Sequence, residues 1–233
     1  KGDLVRLRGQ WVLADGGQLA RAAKYVAEHH GDGTPLGALM REMTLADPPP
    51  APVQDIRASG WAAALLEPGA VPEQIALPAG VNATLRPYQQ RGLDWLVYMS
   101  RLGLGAVLAD DMGLGKTVQV LAHVLDERAR GALTGPTLVV APTSLVGNWC
   151  AEAERFAPEL NVVALQGGKA QRERQFEEAL PGADLAVTTY ALLIRDLERL
   201  REHDFGLLVL DEAQAIKNAA SQTARAVREL NVA

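Results

Sequence analysis

Two separated patches of this sequence carry residue types suited to a phosphorylated ligand. The first is Asp110-Asp111-Met112-Gly113-Leu114-Gly115-Lys116-Thr117. Gly113 and Gly115 let the backbone bend tightly and approach an anion with no Cβ in the way. Such a turn aims successive N–H groups inward, and the start of a following helix adds a positive dipole. Lys116 then reaches the β- and γ-phosphates of a nucleotide, and the Thr117 hydroxyl ligates Mg2+. The strict phosphate-loop pattern opens on glycine, and here that position is Asp110. The bland alternative is a glycine-rich strand-to-helix turn that binds nothing.

The second patch is Asp211-Glu212, directly after the apolar run Leu207-Leu208-Val209-Leu210. A phosphate loop needs an acid at the end of another parallel strand to hold its metal. Asp211 takes that role, directly or through water. Glu212 orients or deprotonates an attacking water. Two acids after a strand can also be no more than a helix start, where negative charge is favoured.

Elements of two periods must position these groups. From about Leu85 onward, short apolar runs alternate with helical stripes. The runs are Gly105–Ala109, Thr137–Ala141, Asn161–Leu165, Asp184–Thr188 and Leu207–Leu210. Strands apolar on both faces, each followed by a helix, predict a parallel sheet flanked by helices, an α/β fold. Before this region the chain differs. A strand near Leu4–Arg8, reaching Trp11–Leu13, precedes helices over Leu19–His30, Thr34–Met43 and Gly60–Leu66. Four prolines between Ala46 and Pro52 mark a linker. The predicted organisation is a small mixed accessory region over 1–80 and an α/β domain over 81–233. His29-His30 has no third metal ligand in sight and reads as a solvated helix end.

Composition bounds the rest. The 233 residues are 48% hydrophobic and 22% charged, ordinary for a globular protein. No apolar run approaches the roughly 20 residues of a membrane helix. The single cysteine, Cys150, fits a reducing compartment and reads as a small buried hydrophobe. A net charge of −5 gives no global electrostatic case for nucleic acid, so any such contact is local.

Several segments together resemble Swi/Snf-type ATPases, in family order from about Leu85 to Asn218. Leu85-Arg86-Pro87-Tyr88-Gln89-Gln90-Arg91-Gly92-Leu93-Asp94-Trp95-Leu96 resembles their adenine-recognition segment. Asp110 to Thr117 is similar to their phosphate loop, aspartates and methionine included. Ala141-Pro142-Thr143-Ser144-Leu145 with Trp149, and then Thr188-Thr189-Tyr190, resemble their strand-contacting motifs. Asp211-Glu212-Ala213-Gln214 with Ile216-Lys217-Asn218 resembles their metal-binding motif. The Asp-Glu-Ala-Gln form and the alanine content look bacterial.

The resemblance implies a RecA-like ATP-binding lobe of a superfamily-two motor that uses ATP and Mg2+ and moves along double-stranded DNA without separating its strands. Arg86, Gln89, Asp111, Met112, Gly113, Gly115, Lys116 and Thr117 would form the nucleotide site. Gln89 would read the adenine edge, since an amide donates and accepts at once. Lys116, Asp211 and Glu212 would carry the chemistry, with Thr117 and Asp211 on the metal. Thr143, Ser144, Thr189, Lys217 and Asn218 would touch the DNA backbone; their alternative is routine helix capping. Trp149 reads as helix packing rather than a stacking platform. The second lobe would lie beyond Ala233, so this segment alone is expected to bind ATP weakly and hydrolyse it negligibly. A cytoplasmic, nucleoid-associated location and unidentified protein partners of residues 1–80 are further expectations. An RNA helicase lobe, or a nucleotide-dependent interaction module with no motor, are the competing readings.

Overall fold

The computed structural model describes residues 3–7, 10–14, 72–111 and 113–232. The chain divides into two units, Lys1–Ala70 and Val71–Ala233. In the first, β1 (Asp3–Leu7) pairs antiparallel with β2 (Gln10–Ala14), Leu7 opposite Gln10. The helices expected between Leu19 and Leu66 and the proline-rich linker lie outside the described residues, as does His29-His30.

In the second unit α1 (Pro87–Arg101) starts on a proline, whose missing N–H costs nothing in a first helical turn. Then follow α2 (Lys116–Ala129), β3 (Thr137–Ala141), a 3-10 turn over Thr143–Leu145 and α3 (Val146–Phe156). β4 (Val162–Ala164) leads to α4 (Lys169–Arg174), which continues as a π turn over Gln175–Ala179. After β5 (Leu185–Thr189), α5 (Tyr190–Arg195) and α6 (Leu197–Leu200) break at Asp196. β6 (Asp204–Phe205), β7 (Leu207–Leu210), α7 (Gln222–Arg228) and β8 (Asn231–Val232) complete the order.

The main sheet runs β4-β5-β3-β7, every pair parallel. Its side chains alternate between two cores, as the two-residue period requires. Val139, Ala141, Leu185 and Val187 face a cluster with Val120, Leu121 and Val124 of α2 and Trp149 and Ala153 of α3. Leu138, Val140 and Ala186 face the other cluster, with Phe176, Leu193, Leu200 and Ala226. Helices on both faces explain why these strands are apolar throughout. A smaller cluster, Leu93, Val97 and Ala122, joins α1 to α2.

One expected strand does not form. Gly105–Ala109 has no regular secondary structure, and Val107 is 81% exposed. An apolar run signals burial, yet a strand also needs a neighbour's hydrogen-bonding edge, and none of the described strands pairs with this run. The short parallel pair β6-β8 was not foreseen.

Behind the sheet edge, α5 is anchored at its far end by Arg172. This side chain is only 4% exposed and grips Asp196 at 2.6 and 3.0 Å and the Gly167 carbonyl at 2.5 Å. Asp196→Ala leaves that solvent-shielded guanidinium without its carboxylate and with only the Gly167 carbonyl. The expected cost is about 3–5 kcal/mol in denaturant unfolding. Glu202→Ala, which removes only an exposed partner of Arg199, is expected to cost under about 1 kcal/mol. Equal costs would overturn the assignment.

Candidate functional site

The loop before α2 is shaped by two left-handed glycines, Gly113 at φ 80° and Gly115 at φ 74°. Only glycine visits this region freely. Position 115 has a second constraint, because a Cβ there would run into the Gln89 amide nitrogen. Gly115 caps α2 and no side chain caps that end, which leaves the first-turn amides for some other acceptor. Four of the loop carbonyls, in contrast, are held by side chains. Lys116 Nζ donates to the carbonyls of Asp110 (2.7 Å) and Asp111 (3.1 Å). Gln89 Nε2 and Tyr88 OH both donate to the Leu114 carbonyl, at 3.0 and 3.2 Å. Gln119 Nε2 donates to the Gly115 carbonyl (3.3 Å) and to Asp110 Oδ2 (3.2 Å). With these four carbonyls held and its helix N-terminus uncapped, this loop suits an anion. The residues present therefore fit a nucleotide phosphate.

The structure brings Gln89 onto this loop and engages both ends of its amide. Its oxygen accepts from the Arg86 N–H at 2.9 Å while its nitrogen holds Leu114. Arg86 is exposed beside it, and Met112 lies outside the described residues. Sequence reasoning missed Gln119. This residue is fully buried, with an amide oxygen that has no donor and a Gly92 so close that a Cβ would collide with it. A glutamine between Val118 and Val120, three residues after Lys116, was the available signal.

The acid patch lies at the carboxyl edge of the sheet. Val140 pairs with Leu210 and Ala141 with Thr189, and the Asp211 N–H donates to the Val140 carbonyl at 2.9 Å. Asp211 is thus level with the ends of β3 and β5. Its Oδ2 accepts from Trp149 Nε1 at 2.9 Å and its Oδ1 from the Glu212 N–H at 2.9 Å. Its main-chain carbonyl accepts from Tyr190 OH at 2.7 Å. Trp149 does pack in the core, as its spacing suggests, but its indole N–H also serves the carboxylate. Burial, reinforced by the charges of Asp211 and Glu212, pushes the Tyr190 phenol up to about 12. Glu212 sits at φ 51°, ψ 54°, the one non-glycine positive φ among the described residues, and Gln214 Nε2 donates to its Oε2 at 2.5 Å. A left-handed backbone at a glutamate costs of the order of 1 kcal/mol. Among the described residues no hydrogen bond joins Lys116 to Asp211, and no group of three or more His, Cys, Asp and Glu side chains converges. The oxygen donors Thr117 and Asp211 suit Mg2+, which keeps waters and phosphate oxygens in its own shell.

The residues expected on a nucleic-acid backbone divide. Thr143 and Ser144 are exposed on the turn after β3, and Lys217 and Asn218 are exposed beyond Glu212. The Asn218 side chain accepts from the Ala220 N–H at 3.0 Å. Thr189 is buried, and its hydroxyl accepts from the Leu192 N–H at 3.2 Å as the cap of α5. Cys150 is half-buried, and burial pushes its thiol up, away from nucleophilic use.

The model of the SNF2-related domain matches residues 88–233. The chain belongs to the SNF2-related family. This SNF2-related chain is similar to YwqA of Bacillus subtilis, named as a candidate ATP-dependent helicase/translocase. The two are 34% identical over 244 residues, covering 97% of this chain and 26% of that protein. A bacterial relative matching nearly the whole chain agrees with a bacterial member of the family. The ISWI chromatin-remodeling complex ATPase ISW1 of Saccharomyces cerevisiae is 38% identical over 154 residues, 65% of this chain and 14% of that protein. The SWI2/SNF2 ATPase core of Sulfolobus solfataricus, solved in complex with dsDNA, is 41% identical with a TM-score of 0.63. That match covers 69% of this chain and 32% of that one. The parallel sheet flanked by helices is the RecA-like fold of such cores. The chain spans about a quarter of the Bacillus protein and about a third of the Sulfolobus core. No helix among the described residues is long and apolar enough to cross a membrane.

The raised Tyr190 phenol has a signed consequence. Folding holds its proton from the ordinary value of 10.0 up to about 12. Its contribution to stability is complete below the unfolded value and is lost as pH rises through the folded one. Thermal melts of the parent and Tyr190→Phe across that window are expected to converge as pH rises. A parent that keeps its full advantage throughout would contradict the burial of this hydroxyl.

Proposed function

We propose that this chain is the ATP-binding lobe of a motor that hydrolyses ATP, with Mg2+, while tracking along duplex DNA without separating its strands. The observation that carries the reading is the loop 110–117, whose carbonyls are held by Lys116, Gln89, Tyr88 and Gln119 while the N-terminus of α2 has no side-chain cap. In this reading Lys116 leaves the Asp110 and Asp111 carbonyls for the phosphates. Thr117 and Asp211 hold the Mg2+, which neutralises phosphate charge when bound. Glu212 receives the proton of the attacking water at its carboxylate. Gln89 turns its amide from Arg86 and Leu114 to the adenine edge, and Tyr88 stays on the Leu114 carbonyl. The exposed Thr143, Ser144, Lys217 and Asn218 meet the DNA backbone, and Thr189 supports that edge from beneath. Contacts of this kind position a duplex without reading its sequence.

The chain's resemblance to a core solved with dsDNA supports the duplex as partner. The overall negative charge requires the contact to be local.

Equilibrium binding of a fluorescent ATP analogue tests the site. Lys116→Ala is expected to weaken binding roughly a hundredfold, about 3 kcal/mol. Parent-like affinity in that variant would overturn the site. In the motor containing this lobe, Glu212→Gln is expected to keep ATP binding and stop duplex-stimulated turnover. Full turnover in Glu212→Gln would move the proton acceptor elsewhere. An ATPase stimulated by RNA and indifferent to duplex DNA would replace the DNA reading.

A further inference from the structure

We propose that Trp149 and Tyr190 are positioning residues for the Asp211 carboxylate, and through it for the Mg2+ bound with the nucleotide. The inference rests on the reading of Asp211 as a metal-holding residue and names what orients it.

Trp149 is 3% exposed and shares its apolar cluster with Val120 and Leu121 of α2. An indole has one N–H to give, and a buried one needs an acceptor. This one is given to Asp211 Oδ2 at 2.9 Å, although the acceptor lies on a different element, after β7. The ring body therefore belongs to the core under the helix that begins with Lys116 and Thr117, while its polar tip fixes the carboxylate. One rigid side chain with two torsions sets the spacing between the two halves of the site.

Tyr190 acts on the main chain of the same residue. Its hydroxyl reaches the Asp211 carbonyl at 2.7 Å, at the peptide where the chain turns into the left-handed Glu212. The Glu212 N–H then closes on Asp211 Oδ1 at 2.9 Å. Each carboxylate oxygen thus has one donor. About four acceptor positions exist on an ionised carboxylate, so the remainder stay available to a metal or its water. Partners that orient a metal-holding group in this way typically change metal affinity or activity about 10- to 100-fold when removed. Both donors also grow out of the carboxyl edge, Trp149 from the helix after Thr143 and Ser144, and Tyr190 directly after Thr189.

The test is nucleotide binding to the chain with Mg2+ and with a chelator, using a fluorescent ATP analogue. Trp149→Phe keeps most of the packing and deletes the N–H. It is expected to weaken binding about tenfold in Mg2+ and to leave Mg2+-free binding unchanged. Tyr190→Phe is expected to lose affinity with the same Mg2+ dependence, and it decides the matter if Trp149→Phe does not fold. A purely structural role would weaken both conditions equally, or neither. Either result in a folded Tyr190→Phe or Trp149→Phe overturns the proposal. Mg2+-independent binding by the parent chain would instead sink the metal reading of Asp211, and this inference with it.

Discussion

Parallel pairing of β3, β5 and β7 ends three strands on one edge, and nearly everything chemical in this chain hangs on that constraint. Side chains that are remote in sequence come level there and meet, as Trp149 and Tyr190 do at Asp211. Thr143 and Ser144 follow β3, Tyr190 follows β5, and Asp211 follows β7. Crossover helices cover both faces of such a parallel sheet, so the burial of Val139, Val187 and Leu138 beneath them is indirectly a requirement of the site.

The loop before α2 obeys a different rule, that of hydrogen-bond accounting. A tight turn of backbone has as many acceptors as donors, and an anion site must dispose of the acceptors. Here long side chains from α1 and α2 do so, through Tyr88, Gln89, Lys116 and Gln119. The start of α1, with Tyr88 and Gln89, is therefore part of the loop's construction as well as a candidate for reading a base. Gly92 and Gly115 let α1 lie close enough for this to happen.

Much of this architecture was legible in the residues. The sheet strands announce themselves as apolar runs with helical stripes between them, and Gly113, Gly115, Lys116 and Thr117 declare a loop chemistry by type and spacing. What periodicity does not carry is partnership. It marks Gly105–Ala109 as apolar and says nothing of whether a neighbouring edge is available. It finds Trp149 as a core residue but not the direction of its N–H, which depends on a residue far downstream. It passes over Gln119, because one polar residue inside an apolar helix looks like noise until its neighbours are placed. Thr189 is the converse case. A hydroxyl at the start of a helix serves the helix first, and only depth distinguishes a cap from a surface contact.

Glu212 holds a backbone geometry that glycine or asparagine would accept at less cost. Selection for robustness alone would push this position toward those residues, and each such change would delete the carboxylate. Backbone preference and side-chain chemistry thus pull in opposite directions at a single codon. In a search for sturdier variants of this fold, position 212 is where gains in melting temperature would come at the expense of the acid pair at the sheet's carboxyl edge.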